Sequence, residues 1–77
     1  MQTSLQNSYK ITLTNLETSN QTINYTTNDT VTIPNPTKSG YTFTGWTGSG
    51  YSTPTKNLTL PKYSYGNKSY TANWTRN

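Results

Sequence analysis

The chain contains no cysteine and no histidine, and only two of its 77 residues are acidic. The lack of cysteine excludes disulfides, thiolate nucleophiles and cysteine-based metal sites. The lack of histidine removes the side chain that most often serves as general base or metal ligand near neutral pH. Glu17 and Asp29 stand alone, too few for a calcium or zinc cluster. A Ser or Thr nucleophile would have only these two acids and the lysines to activate it. Both acids fall in turn-forming stretches, where carboxylates favour local backbone bonds and solvent over an acid/base pair. The expectation is a protein that is not an enzyme, with no catalytic residue, no metal and no cofactor.

Long apolar runs are missing as well. Hydrophobic residues make up 27% of the chain, and no stretch of about 18 exists that could insert into a membrane. The opening Met-Gln-Thr-Ser has neither the basic nor the apolar region of a signal peptide. Residues 1–8 are polar and expected to be frayed, with Met1 read as a start placed ahead of an excised module. Residues 9–75 are expected to form that module, since 77 residues make one domain at most. Nowhere does a 3.6-residue apolar period come with helix caps, so at most one turn of helix is expected.

What the chain does have is threonine, serine, asparagine and tyrosine. Ser and Thr supply 26 residues, Asn another 10 and Tyr seven, while charged residues are only 10%. Disordered segments carry more charge and fewer aromatics than this. Thr, Tyr, Val and Ile suit a pleated, half-wet surface. Alternation of apolar and polar residues predicts strands at Tyr9–Leu13, Thr22–Thr26, Thr30–Ile33, Tyr41–Trp46, Asn57–Leu60 and Ser69–Trp74. The first two are expected to form an antiparallel hairpin. Thr47–Gly50 reads as flexible and Tyr51–Lys56, with Pro54, as an irregular surface loop. Pro-Thr-Lys occurs at 36–38 and again at 54–56, but no matching strands flank the two copies, so turn chemistry explains it better than duplication.

The stretch from Pro36 to Trp46 holds three of the ten aromatics in six positions and is the best candidate for the centre of the core. Pro34 and Pro36 make a stiff, non-helical entry. Gly40 is the residue expected to take a positive φ in the turn before the strand.

Asn-Pro-Thr-Lys-Ser-Gly-Tyr-Thr-Phe-Thr-Gly-Trp (35–46) resembles the signature of the Listeria–Bacteroides repeat, the family of the internalin B-repeat. Leu58-Thr-Leu60 and Ser-Tyr-Thr-Ala-Asn-Trp (69–74) are similar to that family's closing strands. The resemblance runs from about Tyr9 to Trp74. It implies a mainly β, small β-grasp-like domain of about five short strands, mostly antiparallel, with little or no helix. It also implies a non-catalytic repeat module of a bacterial cell-surface or adhesin-type protein, extracellular and attached to a larger chain. Its structural signature here would be Pro36, Gly40, Tyr41, Phe43, Gly45, Trp46, Tyr70, Ala72 and Trp74. A β-grasp places a helix across its sheet; in this chain the proline-stiffened Val31–Gly40 connection must do that covering. Strict alternation from Tyr41 turns Trp46 outward, whereas a bulge at Gly45 would turn it inward, and the resemblance favours the inward position.

The net charge of +4 comes from Lys10, Lys38, Lys56, Lys62, Lys68 and Arg76. These are scattered, with neither an Arg-rich stripe nor a nucleic-acid stacking motif, so no nucleic-acid partner is expected. Tyr41, Phe43, Trp46, Tyr70 and Trp74 read as core. Tyr51, Tyr63 and Tyr65 lie in loops, where they either pin the loop to the sheet or, with Lys62 and Lys68, offer a ligand-contact surface. The expected partners are neighbouring domains of the same polypeptide, with a host glycan or surface protein as the alternative. A covalent Lys–Asn staple also has its ingredients in Lys10, Asn73 and Glu17, although Lys10 alternates outward. The six Asn-x-Ser/Thr triplets follow from composition and carry no function.

Overall fold

The alternating stretches become strands in a computed structural model that describes residues 8–77. The expectation of a frayed start falls mainly on residues 1–7 and lies outside the described residues, while Ser8 already belongs to the first strand. In β1 (Ser8–Thr14) Ile11 and Leu13 are buried and Lys10 is exposed, as a period of two requires. β2 (Gln21–Thr26) pairs with it antiparallel, in register from Ser8 opposite Thr26 to Leu13 opposite Gln21. After β2 the chain turns at Asp29, whose carboxylate accepts the Thr26 N–H at 2.8 Å while its own N–H reaches the Thr26 carbonyl at 3.1 Å. β3 (Val31–Thr32) follows, shorter than the alternation suggests.

β4 (Tyr41–Gly48) runs two residues beyond the predicted strand, so Thr47–Gly48 are ordered backbone and not a flexible tether. The Tyr51–Thr55 segment is a correction to the sequence reading. It forms β5 (Tyr51–Thr55), antiparallel to β4, where an irregular loop was expected. Pro54 does not prevent this, because β5 is the last strand of its sheet and an edge strand leaves N–H groups unpaired in any case. β6 (Thr59–Leu60) pairs with β3, and β7 (Lys68–Arg76) closes the chain. No helix occurs among the described residues.

The main sheet has the order β2-β1-β7-β4-β5, antiparallel throughout except that β7 lies parallel to β1 at its centre. The fold is therefore mainly β and mostly antiparallel, with the five-stranded sheet joined by the small β3–β6 ribbon. Ile33, Leu58 and Leu60, from the ribbon and its flanks, share one buried cluster with Ile11, Leu13, Tyr25, Phe43, Trp46, Tyr70 and Ala72 from the sheet. The ribbon and the strap that follows it thus take the covering place of the absent helix. Ile33 N–H bonds the Leu58 carbonyl at 2.8 Å, and Asn35 and Asn57 exchange hydrogen bonds of 2.9 and 3.0 Å, which fix the strap's entry.

The inward position of Trp46 is decided by a bulge. Phe43 pairs with Trp74 and Gly45 with Asn73, leaving Thr44 without an opposite number. The extra residue resets the alternation, so Phe43 and Trp46 both face the core and meet edge to face at 5.3 Å. Tyr41 is a second correction: it is 39% exposed, outside the core, with the Lys38 ammonium 4.5 Å from its ring centre. Tyr41 shares the face of Phe43 but stands at the strand's first position, on the rim, where a cation–π contact replaces burial.

Burial also sets a pH limit. Desolvation raises the pKa of Tyr25 and Tyr70 above the ordinary 10.0, with smaller contributions from Tyr9 and from Tyr51 and Tyr25 respectively. A phenol with a raised folded-state pKa stabilises the fold fully below its unfolded value and loses that contribution as pH climbs through the folded value. Urea unfolding at pH 8 and pH 11 is expected to show a marked loss at the higher pH. In an absorbance titration Tyr25 and Tyr70 should ionise only as the fold opens. Ionisation of Tyr25 and Tyr70 at the ordinary phenol value in a chain that stays folded would refute this.

Candidate functional site

Both carboxylates accept hydrogen bonds from nearby groups. Glu17 Oε2 accepts the Ser39 N–H at 3.0 Å, and Asp29 Oδ2 is held by Thr26. Among the described residues, no three His, Cys, Asp or Glu side chains come together as metal ligands. The ingredients of the covalent staple are also committed elsewhere. Asn73 Nδ2 donates to the Gly45 carbonyl, Thr47 Oγ1 and the Thr71 carbonyl, each at 3.0 Å, and Lys10 is exposed. Intact mass spectrometry is expected to return the full sequence mass; loss of one ammonia would mean that the staple forms.

The signature residues do gather. Phe43, Trp46, Tyr70 and Ala72 are buried in the core cluster, and Phe43 bridges Trp46 and Trp74 edge to face. Trp74 is half-buried and its indole N–H bonds the Asn15 carbonyl at 2.8 Å, while Asn15 Nδ2 reaches the Ala72 carbonyl at 2.8 Å. These two bonds tie the turn after β1 to the end of β7. Gly40 has φ +82°, as its turn position requires. Pro36 is half-buried in the strap.

The candidate contact residues divide. Tyr51 packs edge to face on Tyr70 at 6.1 Å and is half-buried, so it belongs to the fold and not to an exposed patch. Lys68 is half-buried at the start of β7. Tyr63 and Tyr65 are the two most exposed large side chains, at 72% and 71%, with Lys62 Nζ 5.3 Å from the Tyr63 ring centre. The backbone beneath them is fixed. Tyr63 N–H bonds the Thr27 carbonyl at 2.8 Å, Ser64 Oγ the Pro61 carbonyl at 2.7 Å, and Tyr25 O–H the Gly66 carbonyl at 2.5 Å. Tyr63 itself holds φ +79°, a conformation a non-glycine residue keeps only where its surroundings demand it. The tip thus presents two rings on an ordered base.

A second feature escaped the sequence reading: a half-open groove of about 290 Å³ between the β1–β2 turn and the strap. Leu16 gives it an apolar wall over the buried Leu13 and Trp46, Pro34 and Pro36 stiffen one side, and Glu17 is its only charged lining residue. Leu16 inside a run of turn-formers was the available signal, since an apolar residue there has to cover something.

A family model described as a divergent InlB B-repeat domain matches residues 9–77. The chain belongs to that family. Neither a curated protein nor a solved structure matches it. The family is one of bacterial surface proteins and is typically non-catalytic. No helix of the described residues is long and apolar enough to cross a membrane.

Proposed function

We propose that this B-repeat domain is a structural spacer in a larger extracellular protein of the bacterial cell surface, linking neighbouring domains and displaying an adhesive or catalytic one. The observation that carries this reading is the parallel pairing of β1 with β7. Because first and last strands point the same way, the chain enters at one end of the sheet and leaves at the other. Each copy therefore adds length instead of folding the chain back. A nine-residue strand spans about 30 Å. X-ray scattering from one, two and four linked copies is expected to show maximum dimension growing by roughly that amount per copy. A dimension that levels off after two copies would end the spacer reading.

The two rings on the ordered tip favour a second reading, a weak contact with a host glycan or surface protein that gains strength by avidity across copies. Tyr63, Tyr65, Lys62 and Lys68 would carry it. Four linked copies screened against glycans and matrix proteins at low and moderate salt should then retain a ligand that Tyr65→Ala releases without lowering the melting temperature. A ligand retained only at low salt would point to charge alone.

A further inference from the structure

We propose that the groove under the strap is a socket for a second copy of this chain, filled by the Tyr63 ring of the copy that follows in a tandem array. The proposal rests on the reading of the domain as one of several linked copies.

Three observations converge on this occupant. The first is placement. Tyr63 is tied to Thr27, just past the end of β2, whereas Gln21 at the start of β2 lines the groove. Six strand steps separate them, about 20 Å, so a copy cannot fill its own socket. β1 starts at the Tyr63 end, where Lys10 N–H bonds Asn67 Oδ1. β7 runs toward the groove end, where Trp74 bonds Asn15. A chain leaving one copy through β7 therefore brings the Tyr63 end of the next copy to the first copy's groove.

The second is size and character. A cavity of 290 Å³ lies at the lower limit of small-molecule pockets, suited to one phenol ring with a few waters. Leu16, Pro34 and Pro36 stand in its lining beside Thr18, Gln21, Asn35 and Thr37, with Leu13 and Trp46 buried beneath. The Glu17 carboxylate, with one oxygen engaged by Ser39, retains lone pairs for the phenol O–H.

The third is charge. Glu17, the groove's only charged residue, would meet Lys62, which stands beside the Tyr63 ring. Tyr63 is preorganised for insertion: its backbone is pinned in a strained conformation while its ring stays in water.

The contact is weak by design of its area. One aromatic knob buries about 150–250 Å², far less than the roughly 800 Å² per partner of a stable complex. Free copies should stay monomeric. Linked copies see each other at an effective concentration in the mM range, enough to populate such a contact. It is heterologous, so copies meet head to tail instead of pairing about a two-fold axis.

The test compares NMR spectra of one copy and of two linked copies. In the linked chain, amide signals of Leu16, Thr18 and Asn35 in the first copy and Lys62–Gly66 in the second are expected to shift. Tyr63→Ala in the second copy should return the groove signals to their single-copy positions, and its exposure means the fold survives. Glu17→Lys in the first copy should weaken the shift, and Lys62→Glu in the second should restore it. Groove signals that are identical in one and two copies, or that stay shifted after Tyr63→Ala, overturn the proposal. So does a groove that responds to an added N-acetylated sugar but not to the second copy. None of these outcomes alters the length added per copy, so the spacer reading stands or falls separately.

Discussion

Trp46→Ala is expected to cost about 3–5 kcal/mol, the range for removing a large buried aromatic. For a domain of this size total stability is on the order of 4–11 kcal/mol, so the variant should be largely unfolded at moderate urea. Trp46 is fully buried, contacts Phe43 edge to face, and stands between the sheet and the strap. Its loss would extend the neighbouring groove into the core. Urea titration followed by Trp74 fluorescence measures the effect; a loss below about 1 kcal/mol would place Trp46 outside the core. The indole N–H complicates the account in a useful way. It is the buried side-chain polar atom among the described residues with no hydrogen-bond partner. Trp46→Phe removes that orphan along with part of the ring, so it should cost clearly less than the alanine variant.

Gly48→Ala should be the other severe substitution, and its cause is backbone rather than burial. Gly48 holds φ +147°, and a Cβ there would sit 2.1 Å from the Ser69 carbonyl oxygen and 2.9 Å from Tyr70 Cα. Both neighbours are backbone of β7, at the centre of the sheet, so neither can step aside. The strained φ alone costs on the order of 1–3 kcal/mol, and the clash adds to it. Gly50→Ala is the control: its φ is +80° but nothing lies within 4 Å of the added carbon. It should lose only the conformational part. Equal losses at the two positions would show that β4 and β7 separate freely, contrary to the close approach described here.

Much of this was legible in the residues and some was not, for physical reasons. Strict alternation puts Tyr9, Ile11, Leu13, Ile23, Tyr25, Val31 and Ile33 inward because it depends only on the geometry of a strand, and all seven are buried in or packed against the core. The bulge at Thr44–Gly45 could be named from a glycine between two aromatics. Tyr51–Thr55 was misread because a proline and four hydroxyl residues look like a loop, and only position at the sheet edge makes them a strand. The parallel β1–β7 pair joins residues 57 apart, and local sequence says nothing about which distant strands meet. The groove was hidden for the same reason: Leu16 and Pro36 show a need for contact but not the partner.

The parallel pair has a consequence under load. A pull on the start of β1 and the end of β7 runs along the two strands in opposite directions. The hydrogen bonds of Ile11–Thr14 with Lys68–Thr71 lie across that pull and are strained together. An antiparallel arrangement of terminal strands would instead let them peel apart one bond at a time. A chain of such units, tethered at one end and tugged at the other, would resist stretching by shear, whatever its equilibrium stability.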